Sequence, residues 1–238
     1  MRIILLSLFI SAANLAYTQI NISKLVNSQK NNLFSSNQLT EKEISDGLVE
    51  ALIRGSKKSI ASASKIGGFN MNSLIKIPFP NNAKKVKSSV IKIGFKKTVD
   101  QFEKELNYTA ELAAKEALVV FVNAIKAMDI DDALSILQGE NNAATIYLKN
   151  NTSKELHMRF MPIVKLSITK TEVSKYWDML IIKYNTIPFV KPIDVDLEDY
   201  IITNTIKGLF VLIANEEALI RQNPQSTGSD LLMKVFGK

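Results

Sequence analysis

An apolar stripe through residues 99–128 constrains this chain more than any other feature. Val99, Phe102, Leu106, Ala110, Ala113, Ala117, Val120, Ala124 and Met128 follow one another at steps of three and four. That spacing lays side chains along one face of an α-helix. The period-two alternation that a half-buried strand requires is convincing nowhere in the chain. The stripe predicts one long helix over 99–128, and its alanines allow neighbouring helices to approach closely.

The same logic predicts the other elements. Thr40 and Glu43 have the spacing of a capping box, in which hydroxyl and carboxylate satisfy orphan backbone donors at a helix start. Ile44, Leu48, Ala51 and Leu52 then form a helical stripe. Val86, Val90 and Ile93 support a short helix. Further helices are expected over about 130–138, 142–170, 172–186 and 196–222, with a short one near 228–236; Pro188, Pro192 and Pro224 mark breaks. The stretch "GGFNMNSLIKIPFPNN", residues 67–82, breaks every period with Gly, Asn and Pro and is expected to be an extended surface connection. The expected fold is all-α: a single irregular multi-helix bundle of about seven or eight helices around a long central helix.

The first residues, "MRIILLSLFISAANLAYTQI", have a charged start at Arg2, about ten apolar residues and a small-residue exit. This run is too short to span a bilayer but has the form of a secretory signal peptide. Residues 1–18 are therefore expected to be removed by cleavage near Thr18-Gln19, residues 19–38 to be a loosely ordered lead-in, and 39–238 to be one helical domain. The implied location is exported, in the periplasm or cell envelope. The chain carries a net charge of +7, of which only Arg2 would be lost with the signal peptide. A basic surface favours anionic partners, and export directs that preference to envelope polymers or headgroups rather than nucleic acid. No later apolar run is long enough for an integral membrane span.

The chain has no cysteine and one histidine, His157, which excludes disulfides, thiolate nucleophiles and zinc sites built on Cys or paired His. There is no nucleophile elbow, Walker loop, dinucleotide fingerprint or HExxH. No metal or cofactor is expected. His157 is read as a surface or structural residue.

Three acidic groups remain. "AMDIDDALSILQGENNAATIYL", residues 127–148, places Asp129, Asp131 and Glu140 at the first, third and twelfth positions of a calcium loop. Ala133 and Leu134 stand where an oxygen ligand and the turn glycine belong. Capping explains these residues better, with Asp129 as N-cap, Asp131 and Asp132 in the first turn, and Gly139 as a left-handed C-cap. Asp194, Asp196, Glu198 and Asp199 read the same way, with Asp196 opening a helix. Glu216, Glu217 and Arg221 form the preferred polar site, either as an interhelical tie or as a ligand anchor built on Arg221. Lys84, Lys85, Lys87, Lys92, Lys96 and Lys97 surround a short helix and are candidates for contact with an anionic surface.

The order of "GLVEAL", "GGFNMNSLIKIPFP", "FEKELNYTAELAAKEA", "FVNAIKAMDIDDALSILQGENNAAT", "FMPIV", "GLFVLIANEEALIRQNP" and "LLMKVFG" resembles the bacterial family called domain of unknown function 4197. The resemblance runs from about Leu39 to Gly237 and implies an exported, mainly helical bacterial protein. It implies no activity or cofactor. Tyr108 stands where the family commonly has arginine, and "NPQSTGSDLL" lacks a second basic residue, which argues against an essential role for either arginine here. The expected function is a non-enzymatic module that binds a partner protein or an apolar ligand. The alternatives are a carboxylate hydrolase of an envelope polymer using Asp132, Glu111 or Glu217, and a peripheral binder of anionic membrane.

Overall fold

The computed structural model describes residues 39–237; the expected signal peptide over 1–18 and lead-in over 19–38 lie outside them. The regular elements are α1 (Glu41–Ser64), α2 (Lys84–Lys92), α3 (Lys96–Ala114), α4 (Ala117–Lys126), α5 (Ile130–Gln138), α6 (Ala143–Lys170), α7 (Val173–Asn185), α8 (Leu197–Gln222) and α9 (Asp230–Phe236), with short 3-10 turns at Asn81–Ala83 and Pro224–Thr227. The all-α class is as expected. At the start of α1 the capping box is complete: Thr40 Oγ1 accepts from the Glu43 amide, and the Glu43 carboxylate accepts from the Thr40 amide at 2.8 Å.

The single helix expected over 99–128 is in fact two, α3 and α4. At the join the Glu116 amide bonds to the Ala113 carbonyl, an i to i−3 bond that tightens one turn and interrupts the helix. Every stripe member from Val99 to Val120 is nevertheless buried. A tight turn in which Lys115 and Glu116 keep helical dihedrals barely disturbs the 3.6-residue phase, so periodicity reports the buried face and not the straightness of the axis. The central position belongs instead to α8, which packs on α1, α3 and α6. Ile201, Ile202, Leu209, Phe210 and Ile213 put apolar surface on several of its sides, the composition a fully surrounded helix needs.

The connection from α1 to α2 also differs from expectation. Phe69, Ile75, Ile77 and Phe79 are buried, so much of this segment belongs to the core. Phe79 packs edge-on against Phe102 at 5.1 Å and lies 5.7 Å from Trp177, joining the connection to α3 and α7.

Gly139 follows α5 as expected but is not left-handed: its φ is −78° and ψ −178°. Space, rather than backbone handedness, explains the glycine. A Cβ there would lie 2.7 Å from the Ala143 Cβ and 3.1 Å from the Ser135 carbonyl oxygen. Gly139→Ala should therefore wedge α5 away from α6 and lower stability by about 1–3 kcal/mol, measurable by urea denaturation. An unchanged midpoint would show that the corner relaxes freely.

Candidate functional site

The first acidic group singled out above belongs to α5 and the corner that follows it. Asp129 accepts from the Asp132 amide at 2.7 Å as N-cap of α5, and Asp131 and Asp132 occupy its first turn. The segment that a calcium loop would need is helix. Burial raises the Tyr147 phenol above its ordinary range, and Asp132 beside it adds to the effect.

The start of α6 has no capping side chain of its own, because Asn142 makes no such bond. Glu217, from α8, supplies it. Its carboxylate accepts from the Ala144 amide at 3.0 Å, the Thr145 amide at 2.9 Å and the Thr145 hydroxyl at 2.7 Å. One turn on, Arg221 donates from Nε to Glu217 at 3.1 Å and from Nη2 to the Ile136 carbonyl at 2.8 Å, with Nη1 at 3.4 Å from the Leu137 carbonyl. The pair thus completes two helix ends at once. The anion meets the orphan amides of α6, and the cation meets the last carbonyls of α5, each where the backbone dipoles favour it. Both side chains are largely buried, at 5% and 12% exposure. A buried pair of this kind needs complete hydrogen bonding, and it has it.

Glu216 points elsewhere. It pairs with Lys58 on α1 at 2.8 Å and lines an open cleft of about 190 Å³ shared with Arg54, Ile220 and Thr227. Arg221 borders a different groove of about 480 Å³, formed with Asn223, Pro224, Gln225, Met233 and Phe236 between the end of α8 and α9. Glu217 and Arg221 line, with Phe236, a mostly apolar pocket of about 20 Å³, room for no more than one water. Glu216 therefore faces a different space from Glu217 and Arg221, which share the small pocket beside Phe236. The interhelical-tie reading describes Glu217 and Arg221.

Glu111 is the second buried carboxylate. Its oxygens accept from the amides of Gly67 at 3.0 Å, Phe69 at 3.1 Å and Asn70 at 3.3 Å. Gly67 has φ +77°, and a Cβ on Gly68 would fall 2.2 Å from the Ala63 carbonyl oxygen, so the paired glycines are what permit this tight turn. One turn earlier on α3, Asn107 accepts from the Ile77 amide and donates to the Ile77 carbonyl, both at 2.8 Å. The composite of Asn107, Glu111 and the 67–77 backbone was not foreseen. Its sequence signal is an amide and a carboxylate four residues apart inside an otherwise apolar stripe, together with a glycine pair that frees backbone donors.

Glu111, Asp132 and Glu217 each serve different partners. Glu111 serves the 67–70 turn, while Glu217 serves α6. Asp132 lies by Tyr147, two residues and thus about 200° around the helix from Thr145. Asp196 caps α8 by accepting from the Asp199 amide at 2.9 Å, and Glu198 and Asp199 lie in that first turn. His157 meets Asp199 at 3.0 Å on the surface, linking α6 to α8. Among the described residues no group of three His, Asp or Glu side chains is placed to hold a metal ion.

The lysines divide into two sets. Lys87 pairs with Glu103 and Lys96 with Asp100, whereas Lys84, Lys85, Lys92 and Lys97 are exposed and, among the described residues, outside any ion pair. No described helix is long and apolar enough to cross a membrane.

Neither curated proteins nor solved structures contain a match to this chain. The family resemblance drawn from the segment order does hold over the whole described domain: residues 38–237 match the model of the family "Protein of unknown function (DUF4197)", and the chain belongs to that family.

Proposed function

We propose that this chain is an exported module of the bacterial envelope that works by binding rather than by catalysis. The observation that carries the reading is the use to which its buried acids are put. Glu217 and Glu111 accept from backbone amides and, for Glu217, from Arg221 and the Thr145 hydroxyl as well. A general acid or base needs a lone pair within reach of substrate, and Glu111 and Glu217 are buried, at 2% and 7% exposure for the whole residue, with each carboxylate oxygen already accepting at least one hydrogen bond. Glu116 and Glu140 are exposed, but neither adjoins a second acid in a cavity described above.

Recognition is assigned to the groove between the end of α8 and α9. Its volume of about 480 Å³ lies within the range of small-ligand sites. Side-chain amides of Asn223 and Gln225 stand beside Met233 and Phe236, a lining that suits a ligand with both apolar and hydrogen-bonding parts.

Native mass spectrometry of protein purified from its own host should show a co-purifying small molecule or partner that raises the melting temperature. Met233→Asp, at an exposed position, should abolish that adduct without altering the melt of the free protein. Finding no adduct and no partner overturns the binding reading. The same spectra test export separately: the mature chain should begin at Gln19, and an intact Met1 would overturn that half of the proposal.

A further inference from the structure

We infer that the turn over residues 66–74 is a preformed wedge that docks onto an anionic lipid surface. This rests on the envelope location proposed above and concerns a second surface, separate from the groove between α8 and α9. The turn divides its apolar residues sharply. Phe69 and Ile75 are 0% and 5% exposed, while Ile66, Met71 and Leu74 are 90%, 85% and 63% exposed. Large apolar side chains scattered singly over a surface need no explanation, but several on one short turn do.

Their exposure is enforced rather than incidental. Glu111 holds the amides of Gly67, Phe69 and Asn70, and Asn107 holds both backbone groups of Ile77. The Tyr200 hydroxyl donates to the Pro78 carbonyl at 3.0 Å. Met71 lies over Gly67, its Sδ 2.7 Å from where a Cβ would be, next to Ile66 in sequence. On the inner side, Phe69 and Ile75 press against Gly208 of α8. The turn cannot fold its outer side chains inward without breaking these bonds, so little ordering entropy remains to be lost on docking.

Charge selects the occupant. From Ala51 to Val99 the sequence has no aspartate or glutamate, yet it contains Arg54, Lys57, Lys58, Lys65 and Lys76 as well as the lysines around α2. Lys65 and Lys76 flank the turn, and Lys207 adjoins Gly208 behind it; all are exposed and make no ion pair among the described residues. The nearest acid on the packed elements, Glu111, is consumed by the turn's own amides, and Glu116 lies beyond the end of α3. Exposed apolar side chains flanked in sequence by exposed lysines, unpaired among the described residues, match a bilayer interface, where acyl chains lie beneath anionic headgroups. The chain's net charge of +7 adds a longer-range attraction of the same sign.

Co-sedimentation tests this, with protein purified from its own host and vesicles of phosphatidylglycerol mixed with phosphatidylcholine, or of phosphatidylcholine alone. Binding should require the anionic lipid and weaken as salt is raised. The triple variant Ile66→Ser, Met71→Ser, Leu74→Ser should bind at least tenfold more weakly, while Met158→Ser, another exposed apolar position, should bind like the parent. Because the altered side chains lie outside the core, the triple variant should melt as the parent does. Equal binding by the triple variant, or equal binding to neutral vesicles, overturns the inference. So does a self-association that the triple variant loses, since it would assign the turn to a second copy of the chain. The N-terminal mass and the adduct screen report on export and on the groove independently of these vesicles.

Discussion

Glu217→Ala is expected to lower the unfolding free energy by about 3–5 kcal/mol, the cost of leaving a buried charge without its partner. The substitution strands the Arg221 guanidinium and removes the acceptor of the Ala144 and Thr145 amides in the same step. Arg221→Ala should cost a similar amount, since it leaves the carboxylate uncompensated, takes the guanidinium from the Leu137 carbonyl and leaves the Ile136 carbonyl only the Gly139 amide. The pair acts as a unit, so the double variant should cost less than the sum of the singles, with a coupling of about 1 kcal/mol or more in a double-mutant cycle followed by urea denaturation. Arg221→Lys should not rescue fully, because one ammonium replaces a planar fork that reaches a carboxylate and two carbonyls. Strict additivity would mean that the two side chains stabilise separate helix ends without cooperating. If both singles changed stability by under about 0.5 kcal/mol, like an ordinary surface substitution, the staple would have no energetic role.

Glu111→Ala should be nearly as damaging, at about 3 kcal/mol, with a more local signature. Three amides lose their common acceptor, and each buried donor left unpaired costs about 1–3 kcal/mol unless water reaches it. Water reaches them only if the turn opens. Hydrogen exchange should therefore accelerate over residues 67–77 while the amides of α6 and α8 keep their protection. Glu111→Gln should fall between, because its amide group presents donors where the turn requires acceptors. Uniform loss of protection would instead show that the turn opens only with the whole domain. Lipid binding should weaken with Glu111→Ala as well, since the outward display of Ile66, Met71 and Leu74 depends on this carboxylate.

The helices were legible because their signals are local. The Thr40 and Glu43 box, the Asp129 and Asp196 caps and the apolar stripes lie within a few residues of the structure they dictate. The tie between Glu217 and Arg221 was legible for the same reason, as residues four apart on a helix. Its targets were not. Thr145 is 72 residues from Glu217 and Ile136 is 85 residues from Arg221, and no local pattern records which helix ends meet there. Gly139 shows the limit from the other side: a glycine after a helix suggests a left-handed cap, yet here it makes room for Ala143.

The sequence by itself determined that the chain is helical, where most helices start and stop, which faces are apolar, and that its family is the one matched over residues 38–237. These follow from backbone geometry and from the order of short segments, which are one-dimensional properties. Only the tertiary structure decided that α8 is the central helix, that the helix over 99–128 is broken between α3 and α4, and that Glu111 and Glu217 accept from amides remote in sequence. Each of these depends on which surfaces meet, and packing a particular pair of faces is a choice made among whole arrangements of the chain, not residue by residue.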